Sequence, residues 1–128
     1  MSENRLHDYL GHMQDAAVDA CGFVSGMNKD EFVADKRTQQ AVILNIVVIG
    51  EAATKLAKDH PEFIVQHPDV PWKSMKGMRN RIAHGYFDIN LDIVWDTVQT
   101  ALPALVEQMT AIRDELAKDN RGDDGMKL

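Results

Sequence analysis

Apolar residues recur at steps of three and four through most of this 128-residue chain. This spacing places them along one face of an α-helix, and no segment shows the strict alternation of a half-buried strand. The pattern predicts an all-α fold, an antiparallel bundle of four main helices with a short extra helical turn near residues 62–65. In the first predicted helix the apolar positions are Leu6, Tyr9, Leu10, Met13, Ala16, Ala17, Ala20, Phe23, Val24 and Met27.

The second predicted helix, residues 36–58, contains the longest apolar run of the chain, residues 41–49, which only Asn45 interrupts. A helix that is apolar on all sides is either the central helix of a bundle or also faces a second subunit. We expect Asn45 to be a hydrogen-bonded amide that fixes how the helices pair. The run is too short to span a bilayer, so no membrane association is expected.

Local signals place the ends of the remaining helices. The third helix is expected to start near Pro71 or Trp72, since proline suits the first helical turn, and to end at Gly85. Asn90 is the expected N-cap of the last helix, and Pro103 is expected to kink that helix about one turn earlier. The inward stripe of the third helix consists of Met75, Met78 and Ile82.

Length, charge and cysteine content limit the class of protein. A chain of 128 residues is expected to form one domain, residues 1–118, followed by a polar, flexible tail, residues 119–128. The formal net charge of −6 argues against wholesale coating of nucleic acid. The single Cys21 cannot form an internal disulfide, which suits a cytoplasmic location.

One segment runs against the acidic character of the chain. Residues 71–87, here called the basic island, contain no aspartate or glutamate but carry Lys73, Lys76, Arg79, Arg81 and His84. Arginine binds phosphate in a fixed geometry, and histidine exchanges a proton near neutral pH. The basic island is therefore the candidate site for chemistry on a phosphate.

Helical geometry divides the island into faces. At about 100° per residue, Lys76, Asn80 and His84 share one face, whereas Arg79 and His84 point about 140° apart. Arg79 and His84 meet only if the helix unwinds at His84–Gly85 or if a second chain supplies its own copies. A symmetric dimer does the latter, because it places the same patch of both chains near the two-fold axis.

An arginine and a histidine brought together in this way are suited to RNA cleavage without a metal ion. The ribose 2′-OH would attack the adjacent phosphate, with His84 as general base or acid and Arg79 stabilising the charge of the transition state. Asn80 would orient His84 or the phosphate. Alternatives stay open for two residues. Arg79 is either this catalytic group or part of a bundle salt bridge, for example to Glu51. Glu51 is either a surface or groove carboxylate or a supporting partner for Arg79 or for the facing subunit. The other histidines, which we interpret as surface residues, show no metal-ligand spacing, so no metal and no cofactor is expected; they are His7, His12, His60 and His67.

These residues resemble the HEPN superfamily and, within it, the HepT-like toxins. The superfamily motif is an arginine, a polar residue and, after a short spacing, a histidine, here Arg79-Asn80 and His84. The HepT branch adds a tyrosine two residues later, here Tyr86. Two further segments are similar to that branch, residues 49–53 (IGEAA) and residues 70–72 (VPW). The resemblance covers residues 6–112.

The resemblance implies a homodimeric toxin that cleaves RNA, either tRNA or mRNA, at a composite site between subunits. It also implies a minimal nucleotidyltransferase of the MNT type as antitoxin, which attaches AMP to the tyrosine of the motif, Tyr86. A bulky anionic nucleotide beside Arg79 and His84 would exclude the RNA phosphate. The rival hypothesis is a non-catalytic HEPN module that binds a nucleotide or a partner protein, and a third is a purely structural bundle.

Overall fold

The computed structural model describes the backbone of residues 2–126 and the side chains of residues 5–85 and 87–119. Within these residues all regular structure is helical, which confirms the all-α prediction. The predicted tail, residues 119–128, falls mainly on residues whose side chains lie outside that description, and it stays a prediction. The elements are α1 (Ser2–Phe23), α2 (Lys29–Ala34), α3 (Lys36–Asp59), α4 (Pro61–Gln66), α5 (Trp72–His84), a 3₁₀ turn (Tyr86–Asp88), α6 (Leu91–Asp96), a π turn (Thr97–Ala101) and α7 (Leu102–Met126).

Helix α3 lies at the centre of the fold, where it packs against α1 on one side and α5 on the other. By length and composition alone it is apolar enough to cross a membrane, but its packing is that of a core helix. Asn45 is half-buried and donates a hydrogen bond to the carbonyl of Ala41 in its own helix, at 2.9 Å. The residues that α3 buries are Val42, Ile43, Ile46, Ile49, Gly50, Ala52, Ala53 and Leu56.

The first helix is shorter than predicted, and a short helix follows it that we did not predict. Helix α1 ends at Phe23, and Gly26 turns the chain with φ of 80°, a left-handed conformation that favours glycine. Asn28 then begins α2 with a capping box. Its side chain accepts from the Glu31 amide at 2.8 Å, and the Glu31 carboxylate accepts from the Asn28 amide at 2.9 Å. Residues 28–30 are typical of a turn by composition, but asparagine also starts helices, as it does here.

Helix α5 begins and ends where the sequence predicts, at Trp72 and before Gly85. The Trp72 side chain is buried, and its Nε1 donates to the carbonyl of His67 at 2.9 Å. Gly85 has φ of −133°, so it ends the helix without the left-handed conformation that usually accounts for a C-terminal glycine. The stripe facing the core consists of the predicted Met75, Met78 and Ile82.

The last helical segment runs from α6 through the π turn into α7. Asn90 caps α6 as predicted, since its side chain accepts from the backbone amides of Asp92 and Ile93. In the π turn the Leu102 amide donates to the carbonyl of Thr97, five residues earlier. Pro103 has no amide hydrogen to donate to the preceding turn, which explains the irregularity where we expected a kink.

Candidate functional site

Helix α5 presents the basic island to solvent along one face. Lys73, Lys76 and His84 are exposed, and Asn80 lies between them and is half-buried. Their spacing of three and four residues produces this shared face, opposite the buried stripe of α5. The exposed face, here called the basic stripe, is a continuous row of donors without an acidic side chain in it.

Arg79 turns away from the basic stripe towards α3. Its Nε lies 3.1 Å from Oε1 of Glu51, with 23% of the Arg79 side chain and 51% of the Glu51 side chain exposed. The contact is an ion pair by distance, but the Nε–H is not aligned on the carboxylate, and the buried Nε has no directed hydrogen bond among the described residues. The alternative in which Glu51 pairs with Arg79 is thus the one that the structure shows.

Gly50 allows α3 and α5 to approach closely beside this pair. A Cβ atom placed on Gly50 would lie 2.9 Å from the carbonyl oxygen of Met75 and would overlap the Cβ of Arg79. Both positions are nearer than real Cβ contacts allow. The absence of a side chain at Gly50 therefore sets where Arg79 stands relative to Glu51. Sequence reasoning missed this role, although a glycine inside a strongly apolar helix is a recognised sign of close backbone approach.

Arg79 and His84 do not come together within one chain. Helix α5 is unbroken through His84, and the Gly85 amide donates to the carbonyl of Arg81 at 2.8 Å. The unwinding that would have joined them is absent from α5, so the two side chains leave the helix about 140° apart. Among the described side chains none forms a hydrogen bond with the exposed His84. The imidazole is accessible to a substrate or to a second subunit.

The remaining predicted residues are placed as follows. Lys76 is exposed on the basic stripe, one helical turn before Asn80. The side chain of Tyr86 lies outside the described residues, while its backbone starts the 3₁₀ turn that follows α5. Phe87, the next residue, is 98% exposed, and sequence reasoning did not single it out.

Cavities also lie on another side of α5. Two adjoining clefts of about 270 and 300 Å³ separate α5 from α6 and the π turn, and both are lined by Met78, Arg81 and Ile93. Neither includes Arg79, Asn80 or His84. We place the candidate site on the basic stripe, because it gathers Lys76, Asn80 and His84 without an acidic side chain, whereas the clefts are mainly apolar and one of them includes Asp88.

Two of the histidines that we interpreted as surface residues are half-buried. His67 stacks against Phe63 with ring centroids 4.2 Å apart, and its Nδ1 lies 2.9 Å from the Phe63 carbonyl oxygen. His60 also lies partly inside, at the junction of α3 and α4. Within the part of the chain that the structure describes, no group of three or more potential metal ligands comes together.

An all-helical chain with Arg-Asn and His-x-Tyr at the end of a basic helix defines a protein of the HEPN class. Comparison with known proteins then identifies the branch. The family model described as "Ribonuclease HepT-like" matches residues 13–112, and the chain belongs to this HepT-like ribonuclease family.

Individual relatives agree with this assignment. A Methanocaldococcus jannaschii protein, provisionally named an RNase, is 41% identical over 119 residues, which cover 93% of this chain and 89% of the relative. A Caldanaerobacter subterraneus protein with a similar provisional name is 35% identical over 81% of this chain and 90% of its own length. A Thermococcus cleftensis protein provisionally named ribonuclease HepT is 32% identical over 83% of this chain and 94% of its own length. No solved structure matches the chain significantly.

Proposed function

We propose that this protein is a metal-independent endoribonuclease whose active site is completed by a second subunit. The observation that carries the proposal is the geometry of α5. Arg79 is held against Glu51 on one side of an unbroken helix, while His84 is exposed on another. In a symmetric dimer the partner's Arg79 approaches this His84, and the Arg79 described here approaches the partner's His84. Neither approach needs any change in the helix.

The proposed reaction needs only these side chains. His84 takes the proton of the ribose 2′-OH, the 2′-oxygen bonds to the adjacent phosphorus, and the bond from phosphorus to the 5′-oxygen breaks. The leaving 5′-oxygen takes a proton from a solvent water, and the His84 imidazolium then returns its proton to the solvent, so each site needs one His84. Arg79 stabilises the charge that develops on the phosphoryl oxygens, Asn80 orients its neighbours, and Lys76 attracts the RNA backbone.

A surface suited to the second subunit lies beside the site. Leu44 on α3 is 63% exposed, and Val47, one turn further along, is half-buried. A shallow groove lined by Gln40, Ile43, Leu44, Val47, Ile82 and Ala83 joins this apolar face, here called the α3 patch, to α5. Exposed apolar patches next to polar groups are typical of subunit interfaces. We propose that the four longer helical segments form a HEPN-like antiparallel bundle and that two bundles pair through the α3 patch.

Replacing the proposed base tests the activity. We expect His84→Ala to abolish cleavage of total tRNA or mRNA while the fold stays intact, because the His84 side chain is exposed and lies outside the core. Cleavage by the wild type should survive EDTA. His12→Ala, an exposed histidine on α1, is the matched control and should cleave normally. Undiminished cleavage by His84→Ala contradicts the catalytic role, and binding without cleavage by the wild type supports the non-catalytic module instead.

Mixing two inactive variants tests whether the site is shared. If Arg79 of one subunit serves His84 of the other, a dimer of Arg79→Ala with His84→Ala contains one intact site out of two. Random pairing makes half of the dimers mixed, so the mixture should regain about one quarter of wild-type activity. A site contained within one chain regains none, because each chain then carries a defect.

The biological role that we propose is that of a cytoplasmic toxin, inhibited by a minimal nucleotidyltransferase that transfers AMP to Tyr86. A nucleotide at this position would place negative charge beside the basic stripe and block RNA. Coproduction with such a partner should raise the intact mass by whole AMP units, and Tyr86→Phe should prevent the increase. Added mass on another residue would refute the assignment to Tyr86.

A further inference from the structure

The larger of the two clefts beside α5, about 300 Å³ in volume, extends from the surface down to the core. Its lining includes Ile49 and Leu105, which are only 2% and 1% exposed. Protein interiors are close-packed, and an apolar cavity holds water poorly because it offers few hydrogen-bond partners. An apolar chain that entered the larger cleft would therefore remove apolar surface of both molecules from water.

The larger cleft has one charged residue in its lining, Arg81. Among the described residues Arg81 forms no ion pair, and its one hydrogen bond is from Nη2 to Sδ of Met78 at 3.9 Å, a weak acceptor. The carboxylate of Asp88 lines only the smaller cleft and does not pair with Arg81. The charge at the larger cleft is thus positive and not neutralised by a neighbouring carboxylate.

The polar groups around Arg81 add to this preference for an anion. Ser74 lies two helical turns before Arg81 on the same face of α5, and its hydroxyl forms no hydrogen bond with a described residue. The hydroxyl of Thr97, across the cleft in the π turn, already donates to the carbonyl of Ile93 at 2.7 Å. The larger cleft therefore offers free donors from Arg81 and Ser74 and no carboxylate to compete for them.

The form of the larger cleft favours a small molecule over a protein partner. Ile93, which is 45% exposed, is the one strongly exposed large aliphatic residue among the described residues that line it. A protein interface needs a contiguous exposed apolar patch. A concave site lined by core side chains, with a few polar groups to fix orientation, is typical of small-molecule binding.

We propose that the larger cleft binds a small amphipathic anion, a medium-chain carboxylate. Its chain lies against Ile49, Met78 and Leu105, and its carboxylate accepts hydrogen bonds from the guanidinium of Arg81, whose planar fork matches a carboxylate. The larger cleft includes none of Arg79, Asn80 and His84. The inference is thus separate from the proposed ribonuclease site and does not depend on it.

Methyl NMR of the full chain tests the binding directly, with decanoate below its micelle-forming concentration as the probe. The methyl signals of Met75 and Met78, which line the larger cleft, should shift and saturate as decanoate is added. Those of Met13 and Met109, fully buried elsewhere in the core, should stay in place. Decanol, which has the same chain without the charge, is the second probe.

Two variants separate the roles of charge and cavity. Arg81→Gln should raise Kd for decanoate by about 5- to 30-fold, the effect of losing a partly exposed charged hydrogen bond, and leave Kd for decanol nearly unchanged. Lys118→Gln is the matched control, since it removes the same charge from an exposed residue about 20 Å further along α7 than Leu105. Ser74→Leu, an exposed position at the cleft, should block both probes while circular dichroism stays helical.

Each other outcome overturns the proposal. If decanoate shifts neither Met75 nor Met78, or shifts all methionines alike, the larger cleft is not its site. If Arg81→Gln weakens decanoate and decanol equally, or no more than Lys118→Gln does, the cleft does not select an anion. If Ser74→Leu lowers the molar mass of the wild-type assembly, the cleft is a protein contact instead.

Discussion

At Gly50 a single hydrogen in place of a side chain determines the geometry of the candidate site. The backbone of α5 at Met75 and the Cβ of Arg79 occupy the space that any other residue at position 50 would need. Glu51, the next residue, then faces Arg79. Since both side chains of this pair are partly exposed, the ion pair itself contributes little to stability, and its effect is to orient the guanidinium.

Substitutions at two glycines distinguish the effect of close packing on the free energy of unfolding from the effect of helix propensity. We expect Gly50→Ala to destabilise the protein by about 1–3 kcal/mol through overpacking, more than the roughly 0.5–1 kcal/mol gained by removing glycine from a helix. Gly77→Ala should be stabilising, because nothing lies within 4 Å of a Cβ placed there. Urea unfolding measures both free energies. Equal stabilisation of the two variants would show that α3 and α5 are further apart at Gly50 than the structure places them.

At the scale of elements, the caps explain why the helices begin where they do. Asp35 starts α3, since one carboxylate oxygen accepts from the Thr38 amide at 3.1 Å and the other from the Thr38 hydroxyl at 2.7 Å. These hydrogen bonds, above all the one from the hydroxyl, lower the pKa of the Asp35 carboxyl. Signals of this kind are local, so Asn90 could be predicted from sequence. The capping box of α2, formed by Asn28 and Glu31, is also a local signal, but the sequence analysis did not identify it.

The lowered pKa of Asp35 gives a pH-dependent contribution to stability. A carboxyl whose pKa is lower in the folded state stabilises the fold above its ordinary value near 4. The contribution is lost as the pH falls through the folded value. Asp35→Asn keeps a good N-cap but has no group that titrates. We expect the wild type to lose Tm relative to Asp35→Asn between pH 7 and pH 3, measured by thermal unfolding. A Tm difference that stays constant across this range would contradict the assignment.

At the scale of the whole molecule, α3 has one of the two roles that the sequence left as alternatives, and contact with a second subunit is the role that we propose in addition. It is central to the fold, because it packs against both α1 and α5, yet it leaves Leu44 exposed beside the catalytic candidates. The overall negative charge of the chain opposes RNA binding by one subunit. Pairing through the α3 patch would place two basic stripes near one another and strengthen the local attraction for phosphate.

A charged residue in the α3 patch tests the pairing. We expect Leu44→Glu to halve the molar mass in sedimentation equilibrium and to abolish cleavage, while circular dichroism stays helical because Leu44 is exposed in the single chain. Val65→Glu, at a more exposed apolar residue on α4, should leave the mass unchanged. A wild-type mass for Leu44→Glu would move the subunit interface elsewhere.

The sequence by itself determined the helical class, the bounds of α3 and α5, the cap at Asn90 and which residues make up the basic island. These follow from periodicity and from hydrogen bonds between residues a few positions apart. Only the tertiary structure decided that Arg79 faces Glu51, that α5 stays unbroken through His84, and that Gly50 lies against the backbone of α5. Those features depend on how closely two helices far apart in the chain can approach. That distance is set by the side chains of both helices together, and neither helix specifies it alone.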